Sequence, residues 1–221
     1  MNAPANFAFG NKQNPVPVLC AEQGRDVRAL RWKQVHGTKI VEVVNQDQDC
    51  GEADGFWTRQ KSIVIGVITA DCVPILLYRR DGRAVGAIHA GWRGVAQHIV
   101  RSFFESLPAD YANPLDWCAV IGPSIRACCY EFGAKELVLI ADQFRSLSLE
   151  KLNPSESKLD LLAPIKHELD ELGVELATVN TVCTFCTEDG TAEQIYFSYR
   201  RGDRNSRQFS VIQRANEKPR T

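Results

Sequence analysis

Apolar residues along this chain fall into two patterns, continuous runs and a helical spacing of three and four. The runs predict strands over residues 40–44, 62–69, 73–78, 84–89, 117–121, 174–179 and 208–212. The helical spacing predicts helices over residues 94–107, 134–144 and 161–172. Pro15 and Pro17 predict an irregular segment over residues 1–30. Strands and helices mix without a strict repeat, which predicts a mixed α/β domain with helices covering sheet faces.

Composition narrows the class of protein. The 221 residues suit one domain, so we expect a single domain over residues 1–221. The 26 basic and 27 acidic residues nearly balance, which argues against a nucleic-acid-binding protein. The longest apolar run, residues 63–70, is far shorter than the ~20 residues of a membrane span. The start of the chain does not resemble a signal peptide, so we expect a cytoplasmic protein whose eight cysteines are thiols.

Three residues with metal-binding side chains lie at predicted strand ends. His36 precedes a strand, Cys72 lies between two strands, and His89 ends a strand. Strand ends meet at the edge of a sheet, and two imidazoles with one thiolate suit a Zn²⁺ ion that keeps a fourth position open. The alternative is that His36 and His89 are ordinary polar residues and Cys72 is a core thiol. The separations between the three residues in the sequence match no compact chelating motif, so spacing alone favours this alternative.

Five segments of the sequence resemble one known family. They are, in chain order, QVHGTKIV, TADCVPILL, AIHAGWRG, IGPSIRACCYEFG and YFSYRR. They resemble the proteins known as laccase-domain or multicopper polyphenol oxidase proteins, YfiH-like purine nucleoside phosphorylases and peptidoglycan editing factors. The resemblance runs from about Arg31 to Ile212 and implies that His36, Cys72 and His89 are catalytic and bind the metal.

The resemblance also implies a fold and a reaction. The fold is a layered α/β/β/α sandwich like the catalytic domain of cytotoxic necrotizing factor toxins. The activity is phosphorolysis of adenosine, inosine and methylthioadenosine, together with deamination of adenosine. Zinc is the implied metal, with copper as the alternative in the oxidase descriptions. The implied partners are a purine nucleoside and phosphate, with neither nucleic acid nor membrane, for a monomer or a homodimer.

Further residues are candidates for catalysis. Arg93 follows His89 closely, and its planar guanidinium suits phosphate; the alternative is a surface arginine at a helix start. Asp71 is either a base or ligand-orienting group, or a structural cap beside the strand break. Arg200 and Arg201 follow an aromatic run and are candidates for an anion site.

Four other cysteines form two close pairs, Cys128–Cys129 and Cys183–Cys186. They suggest a structural zinc site or a redox pair. Adjacent cysteines are poor ligands for one ion and only one CxxC motif is present, so neither interpretation is favoured. His98 and His167 lie on predicted helices and are expected at the surface or the edge of the core.

The start of the chain departs from the family, because residues 1–30 lack its Thr-Arg, Gly-Gly and Asn-Leu segments. This predicts a shortened or divergent N-terminus and leaves two alternatives to the phosphorylase. One is a cysteine hydrolase that uses Cys72 and His89 on an amide or a peptidoglycan precursor. The other is a family member that binds nucleosides with weakened catalysis. A copper polyphenol oxidase is the least favoured, because one three-ligand site cannot hold several coppers.

Overall fold

The computed structural model describes residues 4–17, 27–155 and 157–215. The strands in these residues are β1 (Ala5–Phe9), β2 (Arg31–Lys33), β3 (Ile40–Glu42), β4 (Asp49–Glu52), β5 (Gly55–Thr58), β6 (Ile65–Thr69), β7 (Val73–Arg79), β8 (Val85–Ala90), β9 (Trp117–Ile121), β10 (Glu175–Val179) and β11 (Gln208–Arg214). The α-helices are α1 (Trp92–Ala96), α2 (Ile99–Glu105), α3 (Ala134–Gln143), α4 (Leu149–Leu152) and α5 (Leu162–Glu171). None of these helices has the length and apolarity needed to cross a bilayer.

A six-stranded sheet in the order β10-β9-β7-β8-β5-β3 forms the centre of the molecule. Successive side chains of a strand point to opposite faces, and both faces of this sheet are buried. In β7, Val73, Ile75 and Leu77 pack with the helices, whereas Leu76 packs with the second sheet. This double burial explains why β7 and β8 have almost continuously apolar sequences.

The layers on the two faces differ. Helices α1, α2, α3 and α5 cover one face, and the three-stranded sheet β1-β11-β6 covers the other. A short parallel pair, β2 and β4, lies beside them. The mixed α/β prediction is therefore confirmed, with layers in the order α/β/β. Within residues 4–17, 27–155 and 157–215, the outer face of the three-stranded sheet carries the 3₁₀ turn Val27–Ala29 and the loop at Val16 rather than an α-helix.

Strand direction brings the chemistry to one edge of the six-stranded sheet. Strands β3 and β5 run parallel, and both run antiparallel to β8. Strand β7 is antiparallel to both β8 and β9, and β10 is parallel to β9. The starts of β3, β5 and β7 therefore meet the ends of β8, β9 and β10. The candidate ligands His36, Cys72 and His89 all lie at this edge.

Three predictions about secondary structure need correction. Residues 5–9 form β1 rather than irregular chain, because they pair with β11 at the far end of the sequence. Strand β5 was not predicted, although all four of its residues are buried. The single helix predicted over residues 94–107 is two helices, because His98 adopts a left-handed conformation (φ 58°) between them. Residues 18–26, part of the segment predicted as irregular, lie outside the described residues.

Candidate functional site

The side chains of His36, Cys72 and His89 converge at the sheet edge. Their ligand atoms all lie within 4.8 Å of one another. The Cys72 Sγ atom is 3.8 Å from His36 Nε2, and the two imidazole rings stand nearly edge to face with centroids 4.9 Å apart. His89 is buried, whereas His36 and Cys72 are half-buried, so the cluster is reachable from one side.

A buried aspartate, Asp54, orients this cluster. Its side chain is fully buried, and Oδ1 lies 2.7 Å from His89 Nδ1. The same carboxylate accepts the backbone N–H groups of Val35, His36 and Gly37 at 2.8–3.1 Å. Asp54 thus fixes one histidine through its ring and the other through its backbone. The bond at Nδ1 leaves His89 Nε2 as the nitrogen available to a ligand, an arrangement common around metal-binding histidines.

The backbone at the cluster is held in uncommon conformations. His36 has a φ of 61° and Asp71, next to Cys72, a φ of 96°, both in the left-handed region that residues other than glycine seldom adopt. Gly91 is required at the opposite wall, because a Cβ there would lie 2.6 Å from His36 Cδ2 and 3.3 Å from Cys72 Sγ. Such strained positions concentrate at functional sites, where the surroundings enforce them.

The charges within the cluster favour a thiolate beside a charged imidazole. Burial opposes ionisation of Cys72, but the facing imidazoles of His89 and His36 outweigh it and lower the pKa of the thiol to about 6. Burial likewise opposes a charge on His89, but the Cys72 thiolate and Asp54 raise its pKa to about 9. The thiolate is thus the favoured form of Cys72 near neutral pH, and thiolate sulfur is the form that binds metals.

The cluster forms part of the wall of a cleft of about 670 Å³. The remaining lining residues are mostly aromatic, cationic or small polar side chains: Trp32, Lys33, Gln34, Ile68, Thr69, Ala70, Asp71, Trp92, Arg93, Tyr130, Tyr199, Arg200 and Arg207. Four of these residues are basic and one is acidic. The cleft therefore suits an anionic ligand that also carries a flat ring.

The cations of the cleft differ in how they are held. Arg93 is exposed and stacks on the Trp92 ring at 4.4 Å, and within the described part of the chain its guanidinium has no hydrogen-bond or ion-pair partner. Arg200 lies over the Tyr130 ring and donates from Nη1 to the carbonyl of Glu131 at 2.7 Å. Arg93 is therefore the cation most available to a ligand.

Tyr130 adds a neutral donor to the cleft. Burial of its hydroxyl, reinforced by the nearby Cys72 thiolate, raises the pKa of Tyr130 well above its usual value. The hydroxyl therefore stays protonated and can donate a hydrogen bond. Its ring also packs against Phe132, which contacts Trp92 edge to face.

Asp71 lies in the cleft wall, and both of its carboxylate oxygens are hydrogen-bonded. Oδ1 accepts the Thr184 hydroxyl at 2.7 Å, and Oδ2 accepts the backbone N–H of Arg200 at 2.8 Å. The Asp71 carbonyl also accepts the N–H of Ile125. These bonds tie two distant loops to the start of β7, which corresponds to the structural alternative considered for this residue.

Three other candidates lie apart from the cluster. Arg201 belongs to the local scaffold, because it donates to the carbonyls of Thr184 and Phe185 and pairs with Asp203. The other two are histidines that pair with glutamates of α5: His98 with Glu168 and His167 with Glu171. Sequence reasoning missed Asp54, whose only signal is an acidic residue immediately before a short buried strand.

The cluster fits a zinc ion by the chemistry of its donors. Two imidazole nitrogens and one thiolate sulfur are ligands that Zn²⁺ prefers, and catalytic zinc sites use three protein ligands and an open position. The cluster offers these three donors and faces a cleft, and Asp54 supplies the outer carboxylate that such sites use. His36, Cys72 and His89 are thus suited to hold the ion.

Comparisons with known proteins identify the family to which the chain belongs. A family model described as multi-copper polyphenol oxidoreductase laccase matches residues 13–215. A Clostridium acetobutylicum protein named purine nucleoside phosphorylase is 32% identical over 184 residues, which are 81% of this chain and 74% of that protein. An Aquifex aeolicus protein of the same name is 31% identical over 181 residues, 81% of this chain and 79% of the relative.

The fold also matches solved structures. A Neisseria meningitidis protein superposes with a TM-score of 0.76 at 23% identity, over 97% of this chain and 96% of that one. Both curated relatives carry the name purine nucleoside phosphorylase. This chain therefore belongs to the laccase-like family described as multi-copper polyphenol oxidoreductases, some of whose members are named purine nucleoside phosphorylases.

Proposed function

We propose that this protein is a zinc-dependent purine nucleoside phosphorylase that cleaves adenosine, inosine and methylthioadenosine and also deaminates adenosine. The observation that carries the proposal is the convergence of His36, Cys72 and His89 beside an aromatic, cationic cleft. A metal site alone would suit many reactions. The names of the relatives favour purine nucleosides as the substrates.

Phosphorolysis transfers a sugar from a base to phosphate. A phosphate oxygen forms a bond to the ribose C1′ atom, the bond from C1′ to the purine N9 atom breaks, and the bond electrons leave with the purine, which takes up a proton. The products are ribose 1-phosphate and the free base. The protein must hold a dianion next to C1′ and stabilise the departing base.

Arg93 is the residue we assign to phosphate. Its guanidinium has no hydrogen-bond or ion-pair partner among the described residues. Arg93 lies in α1, two residues after Gly91, which packs against His36 and Cys72. The planar fork of arginine binds phosphate through two parallel hydrogen bonds. Arg200 contributes a second positive charge on the same cleft, which lowers the energy of the bound dianion.

The base is assigned to the aromatic side chains of the cleft. Phe132 contacts Trp92 edge to face and packs at a tilt against Tyr130, so it links the two rings. A purine stacks favourably on such rings. The Tyr130 hydroxyl, kept protonated by its burial, donates a hydrogen bond to the base or to the sugar.

We assign to the metal at the cluster the stabilisation of negative charge that develops on an oxygen atom during the reaction. A zinc ion held by His36, Cys72 and His89 would supply a Lewis acid for phosphorolysis and for deamination, in which water replaces the C6 amino group of the purine and ammonia leaves. Asp54 keeps His89 in one orientation, and the Asp54 bonds to residues 35–37 keep His36 in place. Asp71 holds the Cys72 backbone through its links to Thr184 and Arg200.

The test is incubation of the purified protein with adenosine, with and without phosphate, followed by separation of the products. We expect adenine and ribose 1-phosphate only when phosphate is present, and inosine in either case. Arg93→Ala should raise the KM for phosphate by about 10–100-fold, the loss of a charge-assisted hydrogen-bond pair, and leave deamination nearly unchanged. Neither product from a zinc-loaded protein would refute the proposal.

A second candidate function rests on one specific observation. The low pKa of Cys72, its contact with His89 and the bond from His89 to Asp54 form a Cys–His–Asp series, as in cysteine hydrolases. Such an enzyme is active without metal and is inactivated by alkylation of Cys72. Removal of metal therefore separates the candidates, because it abolishes phosphorolysis and leaves a cysteine hydrolase active.

The ligands argue against a copper phenol oxidase. Reduction of oxygen by four electrons uses several coppers held by many histidines. The chain has four histidines, and two of them, His98 and His167, pair with glutamates away from the cleft. The remaining two serve one ion. The oxidase description of the family thus does not match the donors of this site.

A further inference from the structure

A second group of metal-binding side chains lies beyond the ends of strands β9 and β10. Because these strands are parallel neighbours, the loops that follow them leave the sheet at the same edge. The β9 loop carries Cys128 and Cys129, and the β10 loop carries Cys183 and Cys186. A parallel bridge between Ser124 and Cys183 joins the loops. The pairing of strands thus brings together two cysteine pairs that are distant in sequence.

The four sulfur atoms of this group have the spacing of a tetrahedral site. All of them lie within 4.8 Å of one another, and Cys128 Sγ is 3.8 Å from Cys186 Sγ. Four thiolates at a zinc–sulfur distance of about 2.3 Å on a tetrahedron are about 3.8 Å apart. All four are free thiols. The adjacent position of Cys128 and Cys129 therefore does not prevent both sulfurs from reaching one ion.

We propose that Cys128, Cys129, Cys183 and Cys186 bind one structural Zn²⁺ ion, separate from the His36–Cys72–His89 site. Each thiol gives its proton to solvent as its sulfur bonds to the ion, and no electron is transferred. Four protein ligands leave no open position, which is the arrangement of structural zinc sites. The site fastens the β9 and β10 loops to each other.

The surroundings of the group match a tetrathiolate centre. Four thiolates and one Zn²⁺ carry a net charge of −2. The guanidinium of Arg126 lies close enough to Asp160, and also to Cys183 and Cys128, to interact with their charge. Its Nη2 atom donates to the carbonyl of Asn180, while its buried Nη1 atom has no partner among the described residues. The positive charge of Arg126 thus lies near the sulfurs, and its Nη1 atom can donate a further hydrogen bond.

Backbone donors also point to one of the sulfurs. Burial opposes ionisation of Cys183, but the backbone N–H groups of Arg126, Phe185 and Cys186 lie near its sulfur and lower the pKa of the thiol. Such hydrogen bonds stabilise a negative sulfur and position a metal ligand. Two of the three come from the CxxC turn itself, so this turn is already shaped around a charged sulfur.

The proposed site stands behind the cleft. Tyr130 follows Cys129 directly and lines the cleft, and Thr184 follows Cys183 and donates to Asp71. Asp71 in turn precedes Cys72. A zinc ion at the four cysteines would hold both loops in place. It would thereby also position Tyr130, which donates into the cleft, and Asp71, which precedes Cys72. It plays no part in the reaction itself.

The first test counts metal in the full chain, loaded with zinc and then desalted. We expect two zinc ions per chain in the wild type and one in the Cys183→Ala/Cys186→Ala variant. The matched control is Cys50→Ala/Cys118→Ala, which removes two buried cysteines outside both groups and should keep two ions. Full zinc content in the Cys183→Ala/Cys186→Ala variant would overturn the proposal. Activity is not measured, so failure of the proposed function would not affect this result.

The second test needs no variant at these cysteines and covers the case in which that variant does not fold. Cys128 and Cys186 are exposed, so an alkylating reagent should reach them in native protein. We expect peptide mapping to show both cysteines protected in zinc-loaded protein and modified after a chelator removes the metal. Equal modification with and without zinc, or a disulfide within the group, would overturn the proposal.

Discussion

The two groups of potential metal ligands in this molecule lie at the same sheet edge but differ in their donor atoms and in their surroundings. The His36–Cys72–His89 group combines nitrogen and sulfur, has three donors, and opens onto a cleft. The four-cysteine group consists only of sulfur and has a full set of ligands. Since an open position is what allows a metal to act on substrate, we assign a catalytic role to the first group and a structural role to the second.

The supports of the two groups differ in the same direction. At the catalytic group, a buried carboxylate holds one histidine, and left-handed backbone conformations place His36 and Asp71. At the four-cysteine group, loop N–H groups lie near the Cys183 sulfur, and Arg126 lies near Cys183 and Cys128. The orienting carboxylate and the strained backbone thus occur at the His36–Cys72–His89 group, where the proposed metal must face the cleft.

The largest expected effect comes from Cys72→Ala. Loss of an outer hydrogen-bond partner lowers metal affinity or activity by about 10–100-fold, so loss of a direct ligand should lower turnover by more than about 100-fold. In zinc-free protein the thermal unfolding temperature should hardly change, because Cys72 is only half-buried. Phosphorolysis assays and calorimetry measure the two quantities, with Cys50→Ala as control. Retained turnover would show that the group is not the active centre.

A smaller effect is expected from Asp54→Asn. The amide keeps the shape of the carboxylate but loses its charge and accepts through one oxygen instead of two. Zinc affinity at the catalytic group should fall by about 10–100-fold, as for other outer carboxylates. Titration with a competing chelator measures this affinity, with exposed Asp47→Asn as control. Equal zinc affinity in both variants would show that Asp54 does not support zinc binding.

Gly91→Ala should weaken the catalytic group through contact alone. The added Cβ would lie 2.6 Å from the His36 ring, so the ring must shift by several tenths of an ångström. We expect weaker zinc binding at this group and unchanged binding at the four cysteines. Metal titration of the variant against the wild type measures both. An unchanged catalytic group would mean that His36 has more freedom than the close contact implies.

The smallest effect on turnover is expected from Cys183→Ala/Cys186→Ala, whose effect on stability is larger. Zinc at about 1,000 times its Kd contributes about 4 kcal/mol to the folded state. For a chain of this size that corresponds to about 8–16 °C in Tm. Calorimetry should show this loss in the variant and a smaller one in Cys50→Ala/Cys118→Ala. A smaller loss of Tm in Cys183→Ala/Cys186→Ala than in Cys50→Ala/Cys118→Ala would contradict a structural role for the four cysteines.

Much of the fold followed from local patterns, and the rest depends on partners far away in the chain. Strands β7 and β8 are long and buried on both faces, so their apolar runs are unambiguous. Strand β1 exists because it pairs with β11, which no local pattern indicates. The break at His98 interrupts an apolar spacing that continues across it, so the sequence predicted one helix where two exist.

The candidate site shows the same division. His36, Cys72 and His89 each lie in a distinctive segment, so they could be named before their distances were known. Asp54 could not, because its role depends on a backbone turn at residues 35–37 and a ring on another strand. The four cysteines were visible, but only the parallel pairing of β9 and β10 shows that they meet.

The central claim is that His36, Cys72 and His89 bind one zinc ion facing the cleft. Anomalous diffraction, measured on either side of the zinc absorption edge from crystals of the zinc-loaded protein, tests it most directly. The account predicts a zinc peak at about 2.0–2.3 Å from His36 Nε2, Cys72 Sγ and His89 Nε2, with a fourth side open to the cleft. A map without a zinc peak between these three side chains would contradict it.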